Sequence, residues 1–268
     1  MNHTTPPFII YGDNDASKKT FEQRWQVDPP AAATNRLFIG GQSPMMVWGQ
    51  THNAITSALK SARSVIVFDF APCEQALVDT GSLATLLPNK RAFYANRGTH
   101  CPTNVRLNRL ISKQQLIYWA PDSRDVSQQA ACFKNLVATL LRQIPTKSKA
   151  EQVAVVIHGL PHFDSSHKRL KKALDTLIYS HVNLCLASTI DYSVLQREIE
   201  HHGFTQILCK PSEKLRRTTS ASDCQMLSFL KRQGDASWRP CTFPTPDFKI
   251  ETRIRPFNVP SYPHARKI

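Results

Sequence analysis

Apolar residues along the chain fall into two alternating kinds of stretch: short uninterrupted runs, and longer segments in which they recur every three or four positions. The uninterrupted runs are Leu37-Phe38-Ile39, Met45-Met46-Val47-Trp48, Val65-Ile66-Val67-Phe68, Leu116-Ile117-Tyr118-Trp119 and Val153-Ala154-Val155-Val156-Ile157, joined by two stretches that carry polar residues, Val182 to Ala187 with Asn183 and Thr205 to Cys209 with Thr205 and Gln206. Runs of this length, rich in β-branched and aromatic residues, read as strands covered on both faces. Helical spacing predicts a helix over 53–62, with Ala54, Ile55, Ala58, Leu59 and Ala62 inward. A second follows at Val126, Ala130, Phe133, Leu136, Val137, Leu140, Leu141 and Ile144, opened by Asp125 as a cap and closed by Pro145. A third has Leu170, Ala173, Leu174, Leu177 and Ile178 inward, and further helices are expected over 193–202 and 223–233. Residues 75–87 fit a helix, 91–94 a short strand, 98–104 a loop and 248–254 a strand.

Strands alternating with helices imply an α/β fold, a mainly parallel sheet with helices on both faces. Residues 1–36, polar and proline-bearing, read as an N-terminal arm whose Phe8-Ile9-Ile10-Tyr11 offers a lead-in strand. The domain proper is expected over 37–210, and 211–268 as a basic, proline-rich extension, irregular beyond 234.

Between the runs at 45–48 and 65–68 the spacing is that of a phosphate-binding loop, which wants Gly, four residues, Gly, Lys, then Ser or Thr. Gly49 and Thr56 fill the outer places, with Gln50 and Thr51 between them, while Ala54 and Ile55 stand where the second Gly and the Lys belong. Ile55 offers no charge or donor to a phosphate, and its apolar side chain predicts an empty or filled-in pocket. Asp69, at the end of its strand, is expected at the ligand-facing edge of the sheet.

The chain has 268 residues and 41% of them are apolar, enough for a sizeable core. Net charge is +14, from 34 basic against 20 acidic residues, which favours a polyanionic partner: nucleic acid or an acidic protein surface. Lys168, Arg169, Lys171, Lys172, Lys214, Arg216 and Arg217 are the candidate contacts, joined by Lys210, Lys231 and Arg232. Charge runs are also what solvated helix faces look like. Seven scattered cysteines without a C-x-x-C pair argue for reduced thiols rather than disulfides or a zinc site. No apolar run is long enough to cross a membrane and the N-terminus lacks a signal pattern, so a cytoplasmic protein is expected.

The order of motifs resembles the RecA-like motor of conjugative coupling proteins and related type IV secretion and DNA-pumping ATPases. It is carried by Leu37 to Gly41, Trp48-Gly49-Gln50-Thr51, Val65 to Asp69, Val155-Val156-Ile157-His158-Gly159, and Leu186-Ala187-Ser188-Thr189. That family has an Asp-Glu pair where this chain has His158-Gly159, and Ala-Thr-Gln where it has Ala187-Ser188-Thr189. The resemblance therefore implies a motor-like fold without its chemistry: a pseudo-ATPase with no catalytic residues, cofactor or metal. Such a protein would be a structural or adaptor subunit of a conjugation, secretion or DNA-translocation machinery, contacting DNA or a partner ATPase, peripheral at the inner membrane through a complex. The alternative is an active nucleoside triphosphatase or DNA-processing enzyme with an atypical site. His158, His162, His167 and Asp164 do not make a zinc cluster, because Pro161 prevents the helix that His-x3-His spacing requires. No Gly-x-Ser-x-Gly elbow supports a serine hydrolase. Acid/base chemistry by Asp69 with Asp191 competes with cap or loop roles for both.

Overall fold

The structure, a computed structural model, describes residues 6–10, 32–61, 64–70, 92–95, 109, 111, 116–119, 126–144, 152–159, 168–188, 196–210, 228–235 and 238–241. Its strands are β1 (Phe8–Ile10), β2 (Ala32–Thr34), β3 (Arg36–Gly41), β4 (Ser64–Asp69), β5 (Ala92–Ala95), β6 (Leu116–Trp119), β7 (Val153–His158), β8 (Asn183–Ser188), β9 (Thr205–Cys209), β10 (Ser228–Lys231) and β11 (Arg239–Cys241). Its helices are α1 (Pro44–Ser61), α2 (Val126–Gln143), α3 (Lys168–Ile178) and α4 (Gln196–His201).

Nine strands form one sheet in the order β11-β10-β9-β3-β8-β7-β4-β6-β5. Every pairing from β9 to β5 is parallel, whereas β10 and β11 add an antiparallel hairpin at one edge. This is the α/β class, with its mainly parallel sheet, that the alternation of strands and helices implied. Each residue of β4, β7 and β8 is buried, as expected of strands with both faces covered. Period-two alternation then divides their side chains between two apolar cores. Ile66, Phe68, Val155, Ile157, Leu184 and Leu186 meet Phe133 of α2, Leu174 of α3 and Ile199 of α4 on one face. Val65, Val67, Val156, Cys185 and Ala187 meet Val47, Ile55 and Ala58 of α1, with Phe8 and Ile10 of β1, on the other.

Two elements differ from the pattern-based reading. The run at 45–48 is not a strand: α1 begins at Pro44, so the turn expected at Gly49 and the helix start at 53 both fall inside one helix. An uninterrupted apolar run has no period of its own, and Val47 followed by Ala54, Ile55 and Ala58 completes a helical stripe. Proline suits the first helical position because its missing N–H would be an orphan there, and Ser43 accepts the first helical bond from Val47 at 3.0 Å. Likewise 228–231 is strand β10, not part of a helix over 223–233, and 239–241 is ordered as β11 where an irregular tail was expected. Pairing with the open edge of β9 supplies β10 with hydrogen bonds that its local sequence does not announce. The helix expected over 75–87, the loop over 98–104, the strand over 248–254 and the Asp125 cap lie outside the described residues.

Strand β3 ends in a close approach to β9. Gly41 adopts φ +144°, and a Cβ there would lie 1.8 Å from the carbonyl oxygen of Cys209 on β9. Only glycine combines that backbone conformation with so close an approach. Gly41→Ala is expected to destabilise the fold by about 3 kcal/mol or more, from left-handed strain together with displacement of β9. Urea denaturation checks this, a midpoint unchanged from the parent being the contrary result.

Candidate functional site

The carboxyl ends of the central strands form one polar edge. In register across it run Cys209 opposite Gly41, Ser188 opposite Gly40, Ala187 opposite His158, and His158 opposite Asp69. From β3 the chain leaves through α1 toward β4 on one side, while from β8 it leaves through α4 toward β9 on the other. Open parallel sheets bind ligands at such a switch point, where the connections diverge and leave a crevice outside the strand ends.

Asp69, His158 and Tyr118 meet at this edge on the face covered by α1. His158 Nδ1 lies 2.9 Å from Asp69 Oδ1, and the Tyr118 hydroxyl donates to Asp69 Oδ2. All three are nearly inaccessible, Asp69 at 1%, Tyr118 at 3% and His158 at 4% exposure. A carboxylate so deeply buried is tolerated only when its oxygens are hydrogen-bonded, and here each has a side-chain partner. The expectation that Asp69 would face a ligand is therefore corrected: its oxygens turn inward to His158 and Tyr118. Sequence reasoning missed Tyr118. Val65, Val67 and Asp69 share one face of β4, and Tyr118 joins that face because it pairs with Val67 on the neighbouring strand, a register that no local pattern carries.

The residues expected to form a phosphate loop are helical instead. Gly49, Gln50, Thr51, Ala54, Ile55 and Thr56 lie in the interior of α1. Ala54 and Ile55 are buried against the sheet, so Ile55 is a core residue and lines no phosphate pocket. Thr51 donates to the Val47 carbonyl at 2.7 Å and Thr56 to that of His52 at 2.9 Å, the back-bonding usual for mid-helix threonine. The strand-to-helix junction is Gly41-Gln42-Ser43, ahead of the expected place. His158 ends the central β7, and Gly159 follows it with φ +70°.

Among the basic candidates, Lys168, Arg169, Lys171 and Lys172 lie on α3, with Lys171 and Lys172 exposed. Lys210 is exposed just past β9, while Lys231 is engaged by Glu200 at 3.8 Å and stacks over Trp238. Lys214, Arg216, Arg217, His162, Asp164, His167, Thr189 and Asp191 lie outside the described residues. Among the described residues no group of three or more His, Cys, Asp or Glu is placed to hold a metal ion, and no helix is long and apolar enough to cross a membrane. Cys185, Cys209 and Cys241 are buried free thiols, and burial pushes the Cys209 pKa up to about 12, which leaves it inert.

No protein-family model matches the chain, and neither does any curated protein. Solved structures do resemble it, among them the following three. The cytoplasmic domain of the Thermomonospora curvata type VII secretion ATPase EccC aligns at 9% identity and TM-score 0.48, over 91% of this chain and 26% of that one. The cytoplasmic domain of EssC aligns at 14% identity and TM-score 0.45, over 91% of this chain and 43% of that one. The pCW3 conjugation coupling protein TcpA, in monomer form with ATPγS, aligns at 14% identity and TM-score 0.45, over 89% of this chain and 70% of that one. This chain thus spans about a quarter of the EccC domain and under half of EssC.

Replacing His158 by Ala removes a buried hydrogen bond to the Asp69 side chain, so a loss of about 1–3 kcal/mol is expected in chemical denaturation. A loss under about 0.5 kcal/mol would show that the pair does not hold the edge. His52 on α1 titrates below its ordinary value of 6.5 because burial penalises the imidazolium. A base with a depressed folded pKa contributes stability that is present above the unfolded value and is lost as pH falls through it. Urea midpoints should therefore fall as pH drops below about 6.5, and His52→Gln should flatten that part of the profile.

Proposed function

We propose that this chain is a pseudo-ATPase, a motor-like sheet retained for assembly rather than hydrolysis, acting as a structural or adaptor subunit of a secretion, conjugation or DNA-translocation machinery. The observation that carries the reading is the junction after β3. Counted from Gly41 at that strand's end, a phosphate loop would need Gly at 46, Lys at 47 and Ser or Thr at 48; the chain has Met46, Val47 and Trp48. Val47 is fully buried in the α1-side core, so its position serves packing and offers nothing to a phosphate. Ala54 and Ile55, which the loop spacing singles out, lie within α1, and on this reading the missing phosphate contacts are those of Met46, Val47 and Trp48.

The second support is Asp69. A motor needs free carboxylates at this edge to hold a metal and orient water. Here the carboxylate is committed to His158 and Tyr118, and His158-Gly159 brings no other. The basic helix α3 then fits contact with DNA or with an acidic face of a partner ATPase, in keeping with the chain's +14 charge.

A ligand that binds only the folded state raises its apparent stability, by about 2.7 kcal/mol at a hundredfold excess over Kd. Millimolar Mg-ATP or Mg-ADP is expected to leave the melting temperature of the purified chain unchanged, and calorimetric titration to show no heat of binding. Phosphate release that co-elutes with the protein would overturn the reading and favour an active nucleoside triphosphatase with an atypical site. Crosslinking in the native host, followed by mass spectrometry, is expected to recover a partner ATPase.

A further inference from the structure

The exposed side of α3 continues past the helix end into a cluster of rings. Lys172, Thr176 and Tyr179 follow one another at i, i+4 and i+7, the spacing of a single helix face. Tyr179 extends the helical pattern, its N–H donating to the Asp175 carbonyl at 2.9 Å. It is 71% exposed, the one large hydrophobic side chain so placed among the described residues. Its ring meets His202 edge-on with centroids 4.5 Å apart, and His202 meets His201 at 5.0 Å in the same manner.

This ladder is built on a firm base. Arg36 donates to the carbonyls of Ile178 at 2.5 Å and Ser180 at 2.9 Å, fixing the chain on both sides of Tyr179. The same guanidinium lies over Phe204, which follows the α4 turn that carries His201 and His202. Arg36 therefore pins together the two segments that supply the rings. Lys171 and Lys172 stand exposed about 10 Å up the helix, given a rise of 1.5 Å per residue. Asp175, half-buried, is the acidic residue on this stretch of α3.

We propose that Tyr179, with His201 and His202, is a stacking platform for single-stranded nucleic acid, whose phosphates the lysines of α3 engage. An accessible aromatic ring beside a cationic track is the arrangement that binds single strands without reading sequence, because every base offers a π-face. A duplex hides those faces, and an acidic peptide has charge but no rings to stack. The proposal rests on the polyanion reading of α3 and adds to it the rings, the strand state and the binding mode.

Fluorescence anisotropy with a labelled oligodeoxythymidine of about 15 nucleotides tests it on the full chain. Tyr179→Ala is expected to weaken binding about fivefold or more, while Tyr179→Phe, which keeps the ring, stays within about twofold of the parent. Lys172→Ala should lower the slope of log affinity against log salt by about 0.7, and Tyr179→Ala should leave that slope unchanged. A duplex of equal length should bind more weakly than the single strand. Equal binding of single strand, duplex and polyglutamate, or Tyr179→Ala indistinguishable from the parent while Lys172→Ala weakens binding, would overturn the platform and leave a bare polyanion surface. No binding at low salt would remove both, and neither result bears on the nucleotide titration above. Tyr179 lies outside the core, so its variants are expected to melt with the parent.

Discussion

The structure depends on the complete desolvation of its central strands. With every residue of β4, β7 and β8 buried, each backbone group must find its partner in the sheet, and each polar side chain at a strand end must find one beside it. Ladder pairing satisfies the first demand. The second accounts for the carboxyl edge, where Asp69, His158 and Tyr118 come from three adjacent strands and complete one another's hydrogen bonds. A parallel sheet places all its strand ends on one side, so residues far apart in sequence become neighbours through register alone.

The same constraint separates scaffold from chemistry. In a working motor the switch point of such a sheet presents donors and carboxylates outward. Here Val47 is drawn into the core, Asp69 is turned inward and Gly41 is pressed against the Cys209 carbonyl. On the proposed pseudo-ATPase reading, the burial of Val47 and the inward turn of Asp69 each withhold from the crevice a group that a triphosphate site would need. The proposed loss of catalysis and the packing of the edge are then one physical event. Function, on this reading, has moved to surfaces that packing leaves alone, the exposed side of α3 and the rings at its end.

Much of the architecture was determined locally. Continuous apolar runs can be buried only on both faces, so β3, β4, β6 and β7 were legible with their class of sheet, and the more mixed β8 and β9 followed from the alternation of strands with helices. The stripes of α2 and α3 were equally plain, since a 3.6-residue period in apolar positions has few other uses. The position of His158-Gly159 at the end of a central strand was also readable.

What tertiary structure alone decided has a common cause, the absence of period or pairing information in a short segment. Met45-Met46-Val47-Trp48 satisfies a buried strand or a buried helix equally, and the sheet face waiting for Val47 and Ile55 settled it as the start of α1. That choice moved the loop junction from Gly49 to Gly41. Residues 228–231 became a strand because β9 had an open edge to fill. Tyr118 joined Asp69, and Tyr179 joined His202, only when strand order and helix docking brought separate stretches together. Sequence determined which residues must be hidden from water; the fold determined which of them would meet.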